Sequence, residues 1–138
     1  MIKEFSGEYQ FLSNFEPCVV YLDGMEFPTV EHAYQAAKTL DPQQKEVIQQ
    51  CETASQSKRM GRRVTIRPDW EDIKLGVMEV LLVQKFKGYE HFKEALLATG
   101  NRDIEEGNWW GDTFWGVCKG EGENHLGNLL MKIRKELT

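Results

Sequence analysis

The run from Pro68 to Gly88, "PDWEDIKLGVMEVLLVQKFKG", constrains the fold more than any other stretch. Pro68 and Asp69 suit a helix start and Gly88 a helix stop. Ile73, Val77, Val80, Leu81 and Leu82 spread the apolar residues round much of the circumference. A helix of that kind has to be covered on several sides, so it is predicted to be the central core helix. At 138 residues with 41% hydrophobic composition, the chain has enough material to cover it within a single domain spanning residues 1–138.

The other elements are read from their punctuation. "CVVYLDGMEF" places Asp23-Gly24 between two β-favouring runs, a hairpin signal. "YQFLSNF" before it is expected to be a further strand or an extended segment. In "FPTVEHAYQAAKTLD", Val30, Ala33, Tyr34 and Ala37 follow one helix face and Thr29 stands at the N-cap. Asp41-Pro42 then ends that helix and caps another, with Val47, Ile48 and Cys51 as its buried face. "YEHFKEALLATG" gives a short helix closed by Gly100. "NHLGNLLMKIRKEL" gives the last helix, with an apolar stripe of Leu126, Leu129, Leu130, Ile133 and Leu137. Asn101 to Asn124 is polar and glycine-rich. Four or five helices after a small N-terminal antiparallel sheet make the expected fold α+β, a mostly helical single domain.

Charge and composition exclude several classes. The formal net charge of −5 weighs against loose, charge-driven nucleic-acid binding. No apolar run is long enough to span a membrane and the N-terminus lacks a signal-peptide core, so a cytoplasmic protein without a membrane partner is expected. Cys18, Cys51 and Cys118 are odd in number and widely spaced, which favours neither a disulfide framework nor a zinc site. No G-x-S-x-G, H-E-x-x-H or P-loop is present, so neither a cofactor nor a metal is called for. His32 has no helical metal partner and is expected to pack or cap.

Three groups of residues could carry chemistry. On the first helix Glu31, Gln35 and Lys38 fall at i, i+4 and i+7 and form one polar stripe, either a solvated face or the wall of a site. "SKRMGRRVTIR" crowds Lys58, Arg59, Arg62, Arg63 and Arg67 together without an acid, which suits a phosphorylated small molecule or, more plainly, a solvated turn. Trp109, Trp110 and Trp115 lie within one glycine-rich segment together with Asp112. They either offer a platform for a flat ring or plug the core, with Asp112 making a turn. Glu31 and Asp112 form the remaining carboxylate pair, with Glu106 a third candidate. Carboxylates facing an aromatic pocket fit glycosidic bond cleavage, where positive charge develops on the sugar.

"FLSNFEP", "DGMEFPTVEHAYQAAK", "GRRVTIRPDW", "GDTFWG" and "NHLGNLLMKIR" together resemble the NADAR domain family, also called the YbiA-like family, from about Phe5 to Leu137. The resemblance implies an α+β domain with N-glycosidase activity. One branch hydrolyses phosphorylated ribosylamino-pyrimidines early in the riboflavin pathway; others remove ADP-ribose from modified guanine bases. The family pattern points to Glu31, Trp70, Asp112, Trp115 and Lys38. Glu31 and Asp112 would share the carboxylate roles, and Trp70 and Trp115 would stack on the base or close the pocket. Arg59, Arg62, Arg63 and Arg67 would hold phosphate, with Gln35 and Asn14 as further substrate contacts. Lys38 would bind phosphate or attack an opened ribose as an amine. The loop "EGNWWGDTFWG" departs from relatives, being one residue longer and carrying an added indole pair, and "VCKGEGEN" is more glycine-rich. The expected substrate is therefore a small phosphorylated ribosyl compound. The alternatives are an ADP-ribosyl hydrolase acting on modified nucleic acid and a non-catalytic ADP-ribose or nucleotide-binding module.

Overall fold

A computed structural model describes residues 1–138. The fold is α+β, with a two-stranded antiparallel sheet near the N-terminus and a mostly helical remainder. The chain groups into two compact units, Asn14–Lys85 and Met1–Ser13 together with Phe86–Thr138. No helix is long and apolar enough to cross a membrane.

In the unit Asn14–Lys85, β1 (Val20–Leu22) and β2 (Met25–Phe27) form the expected hairpin, with Tyr21 opposite Glu26. Asp23 and Gly24 both take positive φ, 52° and 80°. A two-residue loop of that kind matches the right-handed twist of the strands. Helix α1 (Val30–Ala36) starts at Thr29, whose hydroxyl accepts from the His32 backbone N–H. Helix α2 (Pro42–Gln49) starts at Asp41, whose carboxylate accepts from the Gln43 N–H. Both caps were legible in the sequence. Helix α3 (Ala54–Gly61) was not expected; it contains the N-terminal half of the basic island, and Thr53 and Gln56 build a reciprocal capping box at its start. Helix α1 is the hub of the unit and packs against α2, α3 and both strands. Helix α4 (Trp70–Gly88) is the longest element, as predicted.

The buried faces are shifted in phase from the sequence reading. On α4, Leu81 and Leu82 are buried with Met78, whereas Val80 is half exposed. On α2, Ile48 is buried but Val47 is half exposed and Cys51 intermediate. Helix α4 is thus covered along one stripe and not on several sides as expected, and on both helices the rest of the apolar patch stays in solvent.

In the second unit, "GEYQFL" forms a 3-10 helix, Gly7–Leu12, and not a strand or an extended segment. It packs against α5 (Glu90–Ala98), which also packs against α6 (His125–Leu137). Leu126, Leu130 and Ile133 of α6 are buried as expected; Leu129 and Leu137 are intermediate, and Arg134 is buried in their place. Arg134 donates from Nη1 to the Thr99 hydroxyl at 2.9 Å. The glycine-rich stretch holds a two-residue parallel pair, β3 (Gly107–Asn108) beside β4 (Val117–Cys118).

Candidate active site

The opening half of the stripe is buried, not solvated. Glu31 is 7% exposed and Gln35 4% exposed. Their positions on successive turns of α1 let Gln35 Nε2 donate to Glu31 Oε1 at 3.1 Å. The first turn is tied to Asn14, whose carbonyl accepts from the Glu31 N–H at 3.1 Å. The Asn14 side chain is itself buried, with Nδ2 3.6 Å from Met78 Sδ and Oδ1 without a partner.

Helix α1 ends at Ala36, so Lys38 lies just beyond it in a turn, where its N–H bonds to the Gln35 carbonyl. Its ammonium lies 5.7 Å from the centre of the Tyr34 ring. Burial pushes the Lys38 pKa below the ordinary lysine value; Glu31 pulls it back up, and Arg62, Lys58 and Lys74 push it down further. A carboxylate and a group of cations are thus brought together around α1. Trp70 is buried, its ring 5.1 Å from that of Tyr34.

The basic island is divided by its structure. Arg62 and Lys58 act on Lys38. Arg67 grips Asp69 with Nε at 2.6 Å and Nη2 at 3.1 Å, so its guanidinium already carries a carboxylate. Arg59, Arg62 and Arg63 are all exposed, and Arg59 acts on Cys51.

Asp112 and Trp115 belong to the other unit. Asp112 Oδ1 accepts from the Phe114 and Trp115 N–H groups at 3.1 and 2.9 Å, which builds a turn. Asn108 clamps the same loop: its Oδ1 accepts from the Asp112 N–H, and its Nδ2 donates to the Asp112 carbonyl at 2.8 Å. Glu106 is buried, and its Oε2 accepts from Asn108 Nδ2 at 3.2 Å. The three tryptophans neither plug the core nor share one platform. Trp109 is 86% exposed and meets Trp110 edge to face, while Trp115 rests against Phe114 and His125. A cavity of 730 Å³ opens in this unit between residues that include Lys3, Glu105, Trp109 and Lys119; of the tryptophan cluster only Trp109 lines it, and Glu31, Lys38, Trp70, Asp112 and Trp115 do not.

Two buried groups have local explanations. His32 bonds through Nδ1 to the Thr29 hydroxyl at 2.7 Å and through Nε2 to the Cys51 carbonyl at 2.9 Å, so it packs and caps as expected. Lys85, fully buried, gave no signal in the sequence; burial pushes its pKa down to about 8, with Cys18 and Glu16 pulling it back up.

A model of the NADAR domain matches residues 2–138. The chain belongs to the NADAR domain family. N-glycosidase YbiA of Escherichia coli is 36% identical over 136 residues, covering 96% of this chain and 84% of that protein. A riboflavin biosynthesis protein of Vibrio vulnificus is 38% identical over 130 residues; the match covers 92% of this chain but only 35% of that longer protein. The NMR structure of E. coli YbiA aligns with a TM-score of 0.86 and 35% identity, over 99% of this chain and 84% of that one. The expectation of a hydrolase acting on N-glycosyl compounds is met, since relatives at about 36% identity over most of their length are named N-glycosidases.

Proposed function

We propose that this NADAR domain hydrolyses the N-glycosidic bond of a small phosphorylated ribosylamine of the riboflavin pathway, with Glu31 as the carboxylate facing the reacting sugar. The observation that carries the reading is the buried Glu31 carboxylate, held by Gln35 and electrostatically coupled to Lys38 among Arg62 and Lys58. The names of the Vibrio protein and of a Zea mays riboflavin biosynthesis protein, 36% identical over 143 residues, support the substrate class.

The chemistry follows from charge. As the C1′–N bond breaks, its electron pair leaves with the nitrogen, which gains a proton. The sugar becomes oxocarbenium-like, and an ionised carboxylate stabilises that positive charge. Water then adds to C1′ and releases a proton. Lys38, Arg62 and Lys58 hold the phosphate in this scheme. The lowered pKa of Lys38 favours a second role for the same group. A neutral amine can add to the aldehyde of an opened ribose and expel water to form an imine. Borohydride added during turnover would then reduce the imine and leave a ribosyl adduct on Lys38, visible as a mass increase; phosphate binding alone leaves no adduct.

The testing experiment incubates the purified protein with a ribosylaminopyrimidine phosphate and, separately, with ADP-ribosylated DNA. Free aminopyrimidine and ribose phosphate are expected from the first. Base release from the DNA alone would transfer the activity to ADP-ribosyl hydrolysis. Tight binding without release from either would leave a binding module.

A further inference from the structure

Gly61 closes α3 at the point where the Gln35 amide comes down on its backbone. A Cβ built on Gly61 would stand 1.9 Å from Gln35 Oε1, 2.7 Å from Gln35 Cδ and 3.2 Å from Gln35 Cβ. The amide thus fills the volume that any other residue at position 61 would occupy. Gln35 Oε1 is buried and has no hydrogen-bond partner, while Nε2 donates to Glu31. Turning the amide over would not repair this: Oε1 would then face Glu31 Oε1, acceptor against acceptor. The orientation is therefore set by Glu31, and the unsatisfied oxygen is what remains after the N–H has been committed to the carboxylate.

We propose that Gln35 is a positioning residue for the Glu31 carboxylate, and that the missing side chain at Gly61 is what holds its amide in register. Gln35 then acts through Glu31 and is not itself a phosphate contact. The inference deepens the reading of Glu31 as the catalytic carboxylate and rests on it. Position 61 becomes a steric control on activity, although it presents no functional group. A methyl group there meets the far end of a flexible side chain first, so the amide swings away and α3 stays in place.

The test uses three variants of the full chain, with ribosylaminopyrimidine phosphate as substrate. Gln35→Met keeps the length of the side chain but cannot donate, and is expected to lower kcat on the order of tenfold with KM changed less than about threefold. Gly61→Ala is expected to do the same through displacement of the amide. In a Gln35→Ala background the amide is gone and only the 3.2 Å approach to the Cβ of residue 35 remains, so adding Gly61→Ala should cost no further activity beyond about twofold. Wild-type kcat in Gln35→Met, or losses that multiply in the double variant, would overturn the proposal. A readout independent of turnover is the Gln35 side-chain NH₂ signal in two-dimensional NMR, expected to move in both Gly61→Ala and Glu31→Gln. An unmoved signal in Gly61→Ala also overturns it. If the wild type releases no base, the functional reading fails, and the NMR shift still decides the geometry.

Discussion

Removing one hydroxyl group at Thr29 should weaken the whole first turn of α1, the turn that carries Glu31. Thr29 Oγ1 accepts from the His32 N–H at 3.0 Å and meets His32 Nδ1 at 2.7 Å. His32 Nε2 faces a carbonyl, at Cys51, so Nε2 carries the proton and Nδ1 accepts from the Thr29 hydroxyl. Thr29→Val keeps the shape and loses both bonds. The lost N-cap costs about 1 kcal/mol. The orphaned imidazole nitrogen, in a fully buried His32, costs roughly 1–3 kcal/mol more. The sum, about 2–4 kcal/mol, should appear in urea unfolding as a midpoint lower by about 1–2 M for a slope near 2 kcal/mol per M. Thr29→Ser keeps the hydroxyl and should stay within about 1 kcal/mol of wild type. A Thr29→Val loss below about 0.5 kcal/mol, or an equal loss in Thr29→Ser, would refute the two-bond reasoning.

Arg62→Ala should raise KM for the phosphorylated substrate by roughly ten- to a hundredfold and leave the dephosphorylated form nearly unaffected. Arg67→Ala should show a much smaller phosphate-specific change because Asp69 already occupies that guanidinium; equal effects for the two variants, measured by steady-state kinetics, would remove the distinction. Burial holds the His32 imidazole below its usual 6.5. The unfolded chain therefore takes up a proton that the folded chain refuses as pH falls through about 6.5, and stability should drop there and be level above it. Urea midpoints at about pH 7.5 and 5.5 test this, and His32→Gln should flatten part of the slope.

The local signals in the sequence account for much of the fold. Asp23-Gly24, Thr29 and Asp41-Pro42 act within two or three residues of themselves, so their turns and caps could be read directly. Helix α3 had an equally local signal, Thr53 followed by Gln56, but its basic and polar content hid the helix behind the charge pattern. "YQFLSNF" contains β-favouring aromatics, yet it folds as a 3-10 helix packed on α5. Its conformation comes from tertiary packing, which overrides intrinsic preference. The pairing of two-residue strands β3 and β4 is too short to leave a period.

Candidate site residues could be named from the sequence, but the surroundings that hold them could not. The spacing of Glu31 and Gln35 on one helix face foretold their contact. The burial of the pair, the division of the arginines by Asp69, and the contact between Gln35 and Gly61 depend on how α1 meets α3 and on a neighbour two residues along the chain. No periodicity encodes those. Asp112 illustrates the same limit: its type suits acid–base work, while its Oδ1 is engaged in a turn.

The most direct measurement on the central claim is the turnover of Glu31→Gln with ribosylaminopyrimidine phosphate, set beside its binding and melting. The change nearly preserves size and helix propensity and removes the charge. The expected result is a kcat lower by about a hundredfold or more, with substrate affinity and melting temperature close to wild type. Turnover near the wild-type level in Glu31→Gln would contradict the catalytic role of this carboxylate.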